Sequence, residues 1–258
     1  AHEFAGLGVD QSDSRALYNE VLDLLIPALE TGVIEGEGTY GTIARSELRP
    51  RPERSFAGRK FCGSLSGSSM YSAARHGFGN MVLMLPQRGA EAPPNQYREV
   101  WQEVHGDGSE PPPPMLSGNF YIHEDADYAA EQGEKYLAHT MRAAVKNYHL
   151  DTPGTYANVE GYEQYEKMML DSPEAIDDYC TKFGKSAVTG TPQMILERLW
   201  ELKEIYNPQG FFPHLYFGGM PRDDAVRAVR LFAREVLPEL KSREAETSID
   251  ERFLEAAE

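Results

Sequence analysis

Leu65-Ser66-Gly67-Ser68-Ser69-Met70-Tyr71-Ser72-Ala73-Ala74-Arg75-His76-Gly77 is the stretch on which the fold turns. A short apolar run, Arg59-Lys60-Phe61-Cys62-Gly63, comes just before it and reads as a buried strand. Serines then lead into the Ala73-Ala74 face of a helix. Small hydroxyl residues at a strand-to-helix turn leave backbone N–H groups and serine oxygens pointing outward. The helix N-terminus adds its partial positive charge. Two readings follow: a cradle for a phosphate, or an ordinary serine-capped helix.

The alternation continues on both sides. Upstream, Ser12 and Ser14 are cap candidates for a helix carrying Leu17, Val21, Leu24, Leu25 and Ile26. Gly32, Gly36, Gly38 and Gly41 predict turns, and Pro50 and Pro52 an extended connection over Glu47–Arg54. Downstream, Asn80–Leu85 is a continuous apolar run, as in a strand buried on both faces. Gln96–Val104 reads as a helix, and His105–Pro114, ending in four prolines, as a surface loop. Asn119–His123 is a further strand, and Asp125 or Asp127 caps a long helix over Tyr128–Lys146. Tyr148–Glu160 has no regular pattern, while Tyr162–Leu170 and Pro173–Phe183 predict two helices.

Thr191-Pro192 is a helix start, with Ile195, Leu196, Leu199, Leu202 and Ile205 following at helical spacing. Phe211–Phe217 reads as a last strand despite Pro213. Pro221 opens a final helix with Ala225, Val229, Phe232 and Val236 on one face, and residues 241–258 form a charged tail. Four strands each followed by a helix imply an α/β fold with parallel pairing and right-handed crossovers. An open doubly wound sheet and the back half of a (β/α)8 barrel both satisfy that pattern.

Forty-one acidic against 25 basic residues leave a net charge of −16 over 258 residues. Such a surface repels nucleic acid and anionic membranes, so neither is expected as a partner. No apolar stretch approaches the ~18 residues of a membrane helix. Cys62 and Cys180 are the only cysteines. They form neither a metal spacing nor a disulfide framework, as expected for a cytoplasmic protein without a bound metal. No glycine fingerprint for a dinucleotide is visible.

Several segments together resemble the luciferase-like flavin-dependent oxidoreductases, a superfamily of TIM-barrel monooxygenases. Glu3-Phe4-Ala5-Gly6-Leu7-Gly8-Val9-Asp10 with Ser14-Arg15 looks like the family's stretch after the fourth barrel strand. Ser66 through Gly77 looks like the stretch after the fifth, with Gly67-Ser68 where members often have Pro-Glu. Tyr148-His149-Leu150 and Gly161-Tyr162-Glu163-Gln164-Tyr165 resemble the long insertion of many members. Gly190-Thr191-Pro192 and Leu231-Phe232-Ala233-Arg234-Glu235-Val236-Leu237-Pro238 look like its closing segments.

The resemblance implies that residues 1–240 are the C-terminal part of a single luciferase-like (β/α)8 barrel domain, covering about strands five to eight with an insertion before the last strand. Roughly a hundred residues with the first four strands would then precede Ala1. It implies an FMN-dependent monooxygenase in which reduced flavin and O2 oxygenate a small apolar aldehyde, alkane or ketone. A separate reductase would supply the reduced flavin, and the protein would be a homo- or heterodimer. A deazaflavin (F420)-dependent oxidoreductase of the same fold, or a non-catalytic flavin-binding subunit, are the alternatives. By position, Leu65, Ser66 and Ser69 would hold the FMN phosphate. Met84, Leu85, Tyr121, His123, Phe217 and Gly218 fall at strand ends, where barrel enzymes keep their substrate pockets. Tyr148, Tyr162 and Tyr165 are candidates for a lid or for pins in a long loop. No catalytic acid or base is assigned, because the flavin carries the difficult chemistry.

Overall fold

In chain order, α1 (His2–Leu7) and a 3-10 turn (Gln11–Asp13) lead into α2 (Ser14–Thr31), β1 (Val33–Gly38), β2 (Gly41–Glu47), β3 (Phe61–Cys62) and α3 (Gly67–Arg75). Then come β4 (Gly79–Val82), α4 (Asn95–His105), β5 (Met115–Ile122), α5 (Ala126–Asn147), α6 (Glu163–Glu166) and α7 (Pro173–Gly184). The chain closes with β6 (Val188–Gly190), α8 (Pro192–Tyr206), β7 (Gly210–His214), α9 (Arg222–Leu231), a π turn over Phe232–Val236, and α10 (Leu237–Glu244). This computed structural model describes residues 2–39, 41–83, 85–86, 88, 95–157, 159, 162–168 and 170–244. The charged tail therefore lies outside the described residues beyond Glu244.

The chain divides into two units: Ala1–Asn80 with Gln96–Pro112 and Gly154–Met168, and Met81–Asn95 with Pro113–Pro153 and Met169–Glu258. In the first, Asp10 rather than Ser12 or Ser14 begins the helical segment, its Oδ1 accepting the Ser12 N–H at 2.9 Å. The glycine-rich segment is not a run of turns. It is the antiparallel hairpin β1–β2, with a register shift between Ile34 and Gly36. Its glycines allow it to lie flat on α2: a Cβ on Gly36 would stand 2.3 Å from Leu24 Cδ2, and one on Gly38 2.2 Å from Glu20 Oε1. The composition cue for a turn was here a cue for close approach.

β3 pairs in parallel with the start of β4, Phe61 opposite Gly79 and Cys62 opposite Asn80. The helix between them, α3, buries Met70, Ala73 and Ala74 against Tyr97 of α4, with Cys62, Phe78, Val100, Trp101 and Val104 around them. Tyr97 Oη donates to the Phe78 carbonyl at 2.6 Å, which ties α4 to the chain between α3 and β4.

In the second unit β5 is the centre. Met115 and Leu116 pair in parallel with Met81 and Val82 of β4, Met115–Asn119 with β7, and Phe120–Ile122 with β6. Successive strand residues point to opposite faces, and both faces are filled. Leu116, Phe120 and Ile122 pack with Ile195, Leu199 and Leu202 of α8 and with Leu231, Phe232 and Val236. Tyr121 packs on the other side with Ala129, Tyr136 and Leu137 of α5, and with Phe217, Met220 and Ala225. The expected parallel α/β alternation is present as β3–α3, β4–α4, β5–α5 and β7–α9. β6, three residues long, is an additional strand.

Caps account for the helix starts. Asp125 Oδ1 accepts from Tyr128 N at 3.0 Å, which decides between the two aspartates. Ser172 and Thr191 cap α7 and α8 in the same way, each with proline in the first turn. The helix expected over Tyr162–Leu170 is a single turn, α6. At the other end, Pro238 has no N–H and its ring crowds the carbonyl four residues back. The chain answers with the π turn, the Leu237 N–H reaching the Phe232 carbonyl.

After β7 the chain doubles over α5 at Gly218, whose φ is +58°. A Cβ there would stand 1.9 Å from the Tyr136 carbonyl oxygen and 2.4 Å from Thr140 Oγ1. Gly218→Ala is therefore expected to destabilise the fold by at least about 2 kcal/mol. Urea unfolding followed by circular dichroism measures this; an unchanged midpoint would show that the turn can shift away from α5.

Candidate functional site

Ser66 and Ser69 close a reciprocal capping box at the head of α3. The Ser69 N–H donates to Ser66 Oγ at 3.2 Å, and the Ser66 N–H donates to Ser69 Oγ at 3.0 Å. Ser69 Oγ also donates to the Ser66 carbonyl at 2.9 Å, and the two hydroxyl oxygens are 2.8 Å apart. Both hydroxyls are thus engaged in holding the helix start. The first intrahelical bond runs from Met70 N to the Ser66 carbonyl at 2.9 Å. That leaves the N–H groups of Gly67 and Ser68 as the first-turn donors outside the box.

Several features of this turn suit an anion. No acidic residue lies in the first turn of α3. Nothing stands within 4 Å of where a Cβ on Gly67 would be, so the Cα side of the helix start is open. Ser68 Oγ, 3.2 Å from Ser66 Oγ, adds a hydroxyl. The strand end just before is fixed by Ser64, whose Oγ donates to Asn80 Oδ1 at 3.1 Å. Leu65 is exposed, its side chain away from the core.

Helix α2 runs beside α3 in the same direction. Asn19 Oδ1 accepts from Ser72 Oγ at 2.5 Å, and one turn on Asp23 accepts from Arg75 Nη2 at 2.6 Å and lies 3.1 Å from His76 Nε2. Arg75 in the first place, with His76, holds the Asp23 carboxyl below its ordinary pKa. This register brings the start of α2 level with the start of α3. There Arg15 Nε and Gln11 Nε2 are buried with no hydrogen-bond partner among the described residues. Arg15 carries no local signal beyond its place in the Ser14-Arg15 motif; its orphaned N–H emerges only from packing.

In the second unit, His123 sits where β5 hands over to α5. Its Nδ1 accepts from the Asp125 N–H at 3.0 Å, and its ring lies 4.5 Å from that of Tyr128. It acts as a corner tie. Tyr121 and Phe217 are brought together, but as packed core, 1 % and 8 % exposed. Leu85 joins the opposite core, against Leu116 and Phe120, and Met84 lies outside the described residues. Tyr162 and Tyr165 close on Tyr156 with ring centroids 5.4–5.9 Å apart, the pinned arrangement of a long loop. Tyr148 is half exposed at the end of α5.

A polar constellation that periodicity did not reveal borders this core. Tyr136 Oη donates to Asp224 Oδ2 at 3.4 Å, and Arg227 Nη1 meets Asp224 Oδ1 at 3.3 Å. Burial first, and the Asp224 carboxylate second, push the phenols of Tyr121 and Tyr136 above the ordinary tyrosine value. Both remain neutral donors at any physiological pH. Among the described residues, no group of three or more His, Cys, Asp or Glu could hold a metal, and no helix is long and apolar enough to cross a membrane.

The sequence profile of the luciferase-like monooxygenases matches residues 1–206. No curated protein sequence matches the chain. Among solved structures, monooxygenase RslO1 from Streptomyces bottropensis aligns at a TM-score of 0.54 with 18% identity, covering 92% of this chain and 65% of its own. Riboflavin lyase RcaE, solved with modified FMN and its substrate riboflavin, aligns at 0.57 with 17% identity over 93% of this chain and 60% of its own. The coenzyme F420-dependent tetrahydromethanopterin reductase of Methanopyrus kandleri aligns at 0.49 with 16% identity, over 85% and 62%. The chain thus spans less than two thirds of the length of each.

Burial also raises the Tyr18 and Tyr97 phenols. For all four tyrosines the folded state keeps a proton that the unfolded chain sheds near pH 10, so their contribution to stability falls as pH rises above about 10. In a titration followed at 295 nm, these tyrosines should ionise late, together with loss of the circular dichroism signal. Smooth ionisation of all 14 tyrosines with the fold intact would contradict their burial.

Proposed function

The chain belongs to the luciferase-like monooxygenase family, and from that premise we propose that it is part of an FMN-dependent monooxygenase. Reduced FMN and O2 would oxygenate a small apolar organic substrate, with the reduced flavin supplied by a separate reductase. The observation that carries this reading is the head of α3. It is a capped helix N-terminus with two outward N–H groups, an adjacent hydroxyl, an open face over Gly67 and no acidic residue in its first turn. That donor set matches a phosphate monoester, the one strongly charged group of FMN.

In this proposal the Gly67 and Ser68 N–H groups receive the phosphate, with Ser68 Oγ beside them and the Leu65 backbone leading in. Ser66 and Ser69 act at one remove, because their hydroxyls are spent on the box that aims those N–H groups. Arg15 and Gln11, with buried unpaired nitrogens at the same end of the helix pair, would supply further donors. Bound flavin would supply the electrons that activate O2. The chain's own contribution is then binding and exclusion of water, with no acid or base assigned. Tyr121 and Phe217 would form a dry wall behind the strand ends, and His123 would hold the β5–α5 corner in place.

Titration of the oxidised protein with FMN and, separately, with riboflavin tests this. Ser66→Ala combined with Ser69→Ala removes the box, and two neutral hydrogen bonds of about 0.5–1.5 kcal/mol each correspond to a roughly ten- to hundredfold weaker FMN complex. Riboflavin, which has no phosphate, should bind the wild type and the variant alike. An FMN dissociation constant unchanged by the double substitution would remove the phosphate assignment. Binding of F420 but not FMN would replace the cofactor.

A further inference from the structure

A groove of about 370 Å3 lies in the second unit, along α9 and the π turn. Three arginines, Arg227, Arg230 and Arg234, line it together with Glu124, Asp223 and Val226. Their spacing of three and four residues puts the guanidinium groups on one helix face. Like charges so placed repel one another, and in a chain of net charge −16 there is no shortage of carboxylates to neutralise them. Yet the three are compensated unequally.

Arg227 is held by Asp224 at 3.3 Å, and Asp224 is held in turn by the Tyr136 hydroxyl. Arg234, on the π turn, is paired with its neighbour Glu235 at 2.6 Å. Arg230, between them, has neither an ion pair nor a hydrogen bond among the described residues. The two carboxylates of the lining do not reach it. Glu124 instead lies 3.9 Å from His123 Nε2, and Asp223 has no ion pair or hydrogen bond among the described residues. The groove therefore carries one guanidinium fixed by a partly buried network, one uncompensated guanidinium and one on a widened turn, a geometry frequent at functional sites.

We propose that Arg227, Arg230 and Arg234 form a binding site for a small phosphate-bearing ligand, a diphosphate or phosphate monoester. The site is built wholly within the second unit and shares no residue with the head of α3. A guanidinium presents a planar fork of N–H donors that matches phosphate oxygens two at a time. Glu124 and Asp223 set the selectivity. With Asp224 and Glu235 already paired to Arg227 and Arg234, these carboxylates leave no net positive charge to hold a monocarboxylate, whereas a phosphate, with several charged oxygens, can engage Arg230 and a neighbour together. Val226, partly exposed on the same face, offers apolar contact for the remainder of such a ligand.

Calorimetric titration of the protein with pyrophosphate, in the presence of saturating FMN and at two salt concentrations, tests the proposal. The expected result is one saturable site that weakens as salt screens it. Arg230→Gln should weaken it about ten- to hundredfold, the range for a charge-assisted hydrogen bond, while Arg230→Lys keeps part of the affinity. Thermal unfolding of both variants close to the wild type would show that the exposed substitution leaves the fold intact. Ser66→Ala combined with Ser69→Ala should leave pyrophosphate binding unchanged. No saturable binding, or binding indifferent to Arg230→Gln, overturns the proposal. Binding that follows the serine pair instead would assign the phosphate to the head of α3 and likewise overturn it.

Discussion

Burial of β5 on both faces is the constraint from which the second unit follows. A strand with Phe120 and Ile122 in one core and Tyr121 in another cannot slip by one residue without exchanging every side chain between them. That register fixes where β4, β6 and β7 attach, because all three pair with β5. It also fixes α5 above Tyr121 and α8 below Phe120. The close approaches at Gly133, Gly184 and Gly218 belong to the same arrangement. A Cβ on Gly133 would meet Thr189 and Tyr121, and one on Gly184 would meet the Glu134 carbonyl at 2.5 Å. Gly133 lets α5 come down onto β5, and Gly184 and Gly218 let α7 and the turn after β7 come down onto α5.

What the sequence made legible was local chemistry. The serine turn, Asp125 and Thr191 cap the helices they announced, because a cap needs one oxygen three residues before a donor, and that spacing survives any tertiary context. What it hid depended on packing. Gly36 and Gly38 read as turns but serve a strand lying on α2, and no local rule separates the two uses of glycine. Val188-Thr189-Gly190 was too short to show alternation and runs straight into the Thr191 cap. Tyr162–Leu170 reads as a helix, but Tyr162 and Tyr165 pack on Tyr156, and the helix ends after one turn.

The candidate site shows the same division. Position and residue type were enough to single out the serine turn. The roles within it were not, because the reciprocal bonds between Ser66 and Ser69 convert two apparent ligands into the frame for two backbone donors. Arg15 and Gln11 became visible only once α2 was seen beside α3. Tyr121 and Phe217, placed by sequence at strand ends, are there and are packed together. Family membership, the capped turn and the buried orphan donors are what support the proposed phosphate-anchored flavin.

A crystal structure of the FMN complex tests most directly the proposal that the head of α3 holds the FMN phosphate. Phosphate oxygens are expected within hydrogen-bonding distance of the Gly67 and Ser68 N–H groups, with the Ser66–Ser69 box unbroken. A phosphate bound elsewhere, with that turn left to solvent, would contradict it.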